Sequence, residues 1–153
     1  MGYFTRESGE PTYLAPLTLS RIATCLDSHN WHYSLNDDGS ITGWWDSYFF
    51  LFACQGEDND VFYAHALANR ILPGSEFDSA LRHANEWNSQ HLWPMVTARE
   101  REDSTVVLTV YAVEYAFGIS DEQLDLHIRR AISTMADALE DIDKQYPDYP
   151  LNN

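Results

Sequence analysis

The sequence predicts an α+β fold: an antiparallel sheet of about five to six strands packed against helices, in the order α-β-β-β-β-α-β-β-α. Three observations predict it. Strand-like segments follow one another through turns too short for a crossover, at 37–39, 46–47, 55–60 and 102–104, and such links join antiparallel neighbours. Two segments, 76–91 and 120–146, repeat apolar residues at helical spacing. Two others, 48–54 and 105–115, are apolar on both alternating faces, the mark of inner strands covered on each side.

Residues 1–16, with Gly2, Gly9, Pro11 and Pro16, read as a flexible N-terminal arm ahead of a single domain over 17–146 and a C-terminal tail over 147–153. Thr18 is the expected N-cap of a first helix that runs to about Ser28, with Leu19, Ile22, Ala23 and Leu26 on one face. A strand is expected over 31–36. Asp37-Asp38-Gly39 then turns the chain, the glycine supplying positive φ, into a return strand that puts Ile41, Gly43 and Trp45 on one side. Asp46-Ser47 links it tightly to the strand 48–54, in which Tyr48, Phe50, Phe52 and Cys54 oppose Phe49, Leu51 and Ala53. One cover of that strand is helical; the other is a further helix or a partner subunit. After the acidic turn 55–60 comes a strand over 61–67 whose alanines, Ala64, Ala66 and Ala68, are small for a regular pairing.

In the middle helix Phe77, Ala80, Leu81, Ala84 and Trp87 share a stripe, and Asn88 falls near its centre, where an amide needs a partner. Trp93-Pro94 closes this region, because proline disfavours helical backbone before it. A hairpin over 95–101 and 105–115 follows. Gly118-Ile119-Ser120 leads to the last helix, with Ser120 and Gln123 as a capping box and Leu124, Ile128, Ile132, Met135, Leu139 and Ile142 as its core stripe.

Charge narrows the functions. The chain carries 24 acidic against 9 basic residues, net −15, and no basic cluster, which speaks against nucleic acid and anionic membrane partners. An acidic surface suits polypeptide partners. No run approaches the ~20 apolar residues of a membrane span, and the first residues lack the basic and apolar regions of a signal peptide. Cys25 and Cys54 match no zinc or redox spacing and read as buried, reduced thiols, which predicts a cytoplasmic protein.

No reacting centre stands out. His29 and His32 straddle a helix end, His83 and His91 point apart on one helix, His65 and His127 are isolated, and no cysteine pairs with a histidine in a zinc motif. The acids at 37–38 and 57–60 lack EF-hand spacing. Both cysteines lie in apolar surroundings that suppress thiolate, and the nucleophile elbow and phosphate-binding glycine loops are missing. The sequence therefore predicts no catalytic residue, no metal site and no cofactor.

Asp38-Gly39, Gly43, Trp45-Asp46 and Phe50, followed by Asn85-Glu86-Trp87-Asn88, Trp93-Pro94 and Gly118-Ile119-Ser120, resemble the YbjN family over about residues 17–146. That family is described as bacterial sensory transduction regulators. The resemblance implies a fold similar to type III secretion chaperones, which are small, acidic, usually dimeric proteins that hold unfolded segments of a partner. It implies no enzyme activity. On it Gly39, Gly43, Trp45, Asp46, Asn88, Trp93, Pro94 and Gly118 are structural motif residues.

The resulting expectation is a non-enzymatic protein-interaction or chaperone-like regulatory module, a homodimer or the holder of another polypeptide, with Trp44, Phe49 and Leu51 as its contact surface. Two other readings stand beside it. One is a small-molecule sensor with its pocket between the sheet and the Asn88 helix. The other is a small hydrolase using Glu114 and Asp46.

Overall fold

The computed structural model describes residues 14–151. Its elements are α1 (Leu19–Ser28), β1 (Ser34–Leu35), β2 (Ile41–Trp45), β3 (Tyr48–Gln55), β4 (Val61–Leu67), β5 (Leu72–Pro73), α2 (Phe77–Gln90), β6 (Met95–Arg101), β7 (Ser104–Glu114) and α3 (Asp121–Gln145). Every strand pair is antiparallel, and the sheet reads β1-β2-β3-β4-β7, with β6 on the far flank of β7. The short β5 follows β4 along the near flank, pairing Leu72 with Thr105. This is the α+β fold expected, with β5 added to the predicted strands.

Local chemistry sets the boundaries. The Thr18 and Ser120 hydroxyls accept from the backbone N–H of Arg21 and Gln123, both at 3.2 Å, and each cap contributes about 1 kcal/mol. The turn into β2 places Gly39 at φ 80°, and Asp46 and Ser47 at φ 49° and 70° close the β2–β3 hairpin. The first strand is shorter than the expected 31–36. The Trp31 N–H is bonded to the Leu26 carbonyl, closing the end of α1, so pairing with β2 begins only at Ser34.

The core lies between one face of the sheet and the three helices. Phe50, Phe52, Phe62 and Tyr111, all fully buried, form a row of rings across β3, β4 and β7 at centroid spacings of 6.0–6.2 Å. The alanines of β4 find their reason here. Ala64 is paired with Phe52 on one side and Tyr111 on the other, and α3 crosses β4 on this side, leaving room for a methyl group only. This strand is central and regularly paired, contrary to the doubt that its small residues raise.

Two segments expected to be loose are tied down. Ala15 exchanges backbone bonds with Ile119, and the Arg21 guanidinium donates to the Ala15, Pro16 and Ile119 carbonyls. The rest of the expected arm lies outside the described residues. The tail returns to the loop after β4, where Pro150 bridges to Arg70 and the Leu151 N–H is bonded to the Asn69 carbonyl. Among the described residues no helix is long and apolar enough to cross a membrane.

Candidate functional site: the open face of the sheet

Alternation sends every second strand residue away from the helices. On β3 the buried residues are Tyr48, Phe50 and Phe52, whereas Phe49 is 46 % exposed and Leu51 is half-buried. On β2 the same parity buries Ile41 and Trp45 and leaves Trp44 65 % exposed. Of the two covers expected for the second face of 48–54, a further helix is absent among the described residues, where the helices lie on one face only.

Register makes this face continuous. Trp44 stands opposite Phe49, their rings 5.3 Å apart. Leu67, one step beyond the Phe50–Ala66 pair, extends the row to Leu108, which is paired with Thr97 on β6. A second row runs Thr42, Leu51, His65, Val110, Met95. Trp44, Phe49 and Leu51, the surface expected from sequence, thus share two adjacent rows with Leu67, Leu108, Val110 and Met95, which sequence reasoning did not single out. The second apolar face of 105–115 was assigned to burial, and Val106 and Leu108 are buried there while Val110 is half-buried. Glu114 is the one acid among strand positions on this face, and Arg99 and Arg101 lie along its β6 edge. In a chain of net charge −15 this region is nearly free of acids.

The opposite layer holds polar ties between helices. His83 Nε2 lies 2.6 Å from Asp141 Oδ2, joining α2 to α3. Tyr48 donates to Asp143 Oδ2 at 2.8 Å, joining β3 to α3. Between α1 and α3, Asp125 Oδ1 meets both His29 Nε2 at 2.5 Å and Cys25 Sγ at 3.3 Å, while Arg129 Nε holds Oδ2 at 2.8 Å. Partial burial, then the hydrogen bond to Asp125, pushes the Cys25 thiol up to about 12. It is a protonated donor, not a nucleophile. Both cysteines are half-buried instead of buried. Cys25 and His29, four residues apart at the end of α1, thus meet on one carboxylate oxygen. That spacing was readable; Asp125, a hundred positions later, was not.

A model of the family described as "Putative bacterial sensory transduction regulator", YbjN, matches residues 18–144. The chain belongs to the YbjN family. A solved YbjN-type fold is similar to it throughout: the crystal structure titled "YbjN, a putative transcription regulator from E. coli" superposes with a TM-score of 0.76, at 11 % identity, over 87 % of this chain and 96 % of that one. No curated protein matches.

The residues expected to carry the YbjN pattern are dispersed, and each has a task in the scaffold. Gly39 and Gly118 occupy positive φ, 80° and 85°. Gly43 makes room for the Trp45 indole, and Asp46 forms the β2–β3 turn. Trp93, joined to a buried Pro94 by a cis peptide bond, packs on Tyr111 at 5.6 Å and under the Arg130 guanidinium at 5.2 Å. Asn88 is exposed, not buried, yet both ends of its amide are engaged: Nδ2 donates to the Val96 carbonyl at 2.9 Å and Oδ1 accepts from the Val96 N–H at 2.8 Å. Asp46 and Glu114 stand at opposite ends of the sheet, a strand length apart, on the order of 20 Å. The structure does not bring them together.

Proposed function

We propose that this YbjN-family chain is a non-enzymatic regulatory module that acts by docking polypeptide on the open face of its sheet, with a second copy of the chain as the occupant. The carrying observation is the contiguous exposed apolar row of Trp44, Phe49 and Leu67, which runs into the buried Leu108 and is nearly free of acids in a strongly acidic protein.

Physical scale supports the reading. Five strands about 4.8 Å apart and about 23 Å long present on the order of 500 Å² in flat projection, and side-chain relief raises the accessible area toward the ~800 Å² per partner of ordinary interfaces. Two copies stacking these faces keep their acids outside. Tryptophan and phenylalanine at the centre are the residues that anchor such contacts. The dispersal of the motif residues and the separation of Asp46 from Glu114 speak for scaffold over catalysis. The commitment of the Asn88 amide to Val96 removes the group that a sensor pocket beside α2 would use.

Sedimentation equilibrium on the full chain and on a Trp44→Arg/Phe49→Asp variant tests this. The wild type is expected to dimerise and the variant to be monomeric with unchanged circular dichroism. A wild type that stays monomeric at high micromolar concentration overturns it.

A further inference from the structure

Cys25, His29 and Asp125 place three different metal-binding atoms within 4.8 Å of one another. Two come from successive turns of α1 and its C-cap, the third from the first turns of α3. We propose that these three residues bind one zinc-class divalent ion, with a fourth coordination position open to the cleft beside them.

The donor set fits that class of metal. A thiolate and an imidazole select borderline and soft ions over calcium or magnesium, and one carboxylate completes a three-ligand set of the kind that leaves a position for water or a small ligand. Bonds of about 2.0–2.3 Å hold tetrahedral ligands roughly 3.3–3.6 Å apart. Sγ and Oδ1, at 3.3 Å, already have that separation. Nε2 and Oδ1 have to open by about 1 Å from their 2.5 Å contact, a small rotation of a side chain at a helix end.

The surroundings are built for fixed ligands. Arg129 occupies Oδ2 and turns Oδ1 alone toward the histidine and cysteine. The His29 ring is stacked on Trp31 at 4.4 Å, which sets its plane. Partners that orient ligands in this way strengthen metal binding by about 10–100-fold. The cluster borders a cleft of about 520 Å³ between α1 and α3, lined also by Thr24, Ser28 and Glu122, so an ion has a path in. A purely structural hydrogen-bond cluster requires no such access.

Binding exchanges protons for metal. The Cys25 S–H bond breaks, its proton passes to solvent, and sulfur donates the freed pair to the ion.

The test uses the untagged full chain, since a histidine tag would compete. Co²⁺ is expected to bind one per chain with a thiolate-to-metal charge-transfer band and the strong visible absorption of a four-coordinate ion, both displaced by Zn²⁺. C25S is expected to lose the charge-transfer band. H29Q and D125N are expected to weaken binding by at least about 10–100-fold, and C54S to behave as wild type. Because a variant can lose its fold, a second measurement uses the wild type alone: saturating Zn²⁺ protects Cys25, but not Cys54, from alkylation. Absence of the charge-transfer band in the wild type, equal alkylation of Cys25 with and without Zn²⁺, or wild-type affinity in folded C25S each overturns the assignment.

Discussion

A methyl group on Gly43 would stand 2.5 Å from Cη2 of Trp45, because the indole folds back over the glycine two residues before it on the same strand face. The ring has nowhere to retreat. It packs edge-on against Phe50 and Phe52 at centroid distances of 5.8 and 5.4 Å and is 8 % exposed. Gly43→Ala is therefore expected to cost about 1–3 kcal/mol by overpacking, read from urea denaturation. Trp45→Phe in the same background is expected to return part of the loss, since the two residues are coupled. A Gly43→Ala midpoint equal to wild type would show the indole free to move.

Asn88 supplies the edge strand β6 with the pair of bonds that another strand would otherwise give at Val96. Asn88→Ala takes both bonds from the backbone of Val96, a residue only 2 % exposed, so the cost is about 1–3 kcal/mol. Asn88→Asp keeps the acceptor but turns a carboxylate oxygen toward the Val96 carbonyl, and at neutral pH it is expected to be no more stable than Asn88→Ala. Hydrogen exchange at Val96 accelerates in both. Unchanged protection there would mean that the amide pair contributes nothing to holding the edge.

These two contacts mark how far the sequence could be read. Gly43 and Trp45 lie two residues apart on one strand, so their shared face was legible, as were the caps Thr18 and Ser120 and the turn at Asp46-Ser47. Asn88 was expected inside the apolar stripe because helical periodicity gives direction, not depth; the stripe passes the edge of the sheet there, and the amide meets β6 side-on. Which of the two expected covers the second face of 48–54 has was not legible for a related reason. Phe49 and Leu51 have the composition of an inner strand, and composition does not distinguish burial within one chain from burial against another. Nothing local to Cys25 or His29 foretells Asp125, which only the packing of α1 on α3 brings near.

Alkaline stability has a specific carrier. Partial burial, and then the hydrogen bond to Asp143, raise the Tyr48 phenol above its ordinary value of 10. Above that pH the unfolded chain releases the proton while the folded chain keeps it, so the unfolded state binds fewer protons and stability falls as pH rises. Below it both states are protonated and the contribution is intact. Tyr48→Phe is expected to lower stability at neutral pH by about 1 kcal/mol through the lost hydrogen bond, and to make the decline above pH 10 shallower. A decline of equal slope in the variant would assign alkaline unfolding to other groups.

The salt dependence of self-association separates an apolar interface from an ionic one. Two copies of a chain with net charge −15 repel each other, and stacked sheets lie only about 10 Å apart, close to one screening length in ~0.1 M salt. The proposed face adds little attraction between charges, with Glu114, Arg99 and Arg101 at its margins. Raising sodium chloride from about 0.05 to 0.5 M is therefore expected to tighten the dimer several-fold, measured by sedimentation equilibrium. Glu114→Gln is expected to reduce this dependence slightly, whereas Phe49→Asp abolishes the dimer at every salt concentration. A dimer that loosens as salt is added would be held by ion pairs, and the row of Trp44, Phe49 and Leu67 could not be its centre.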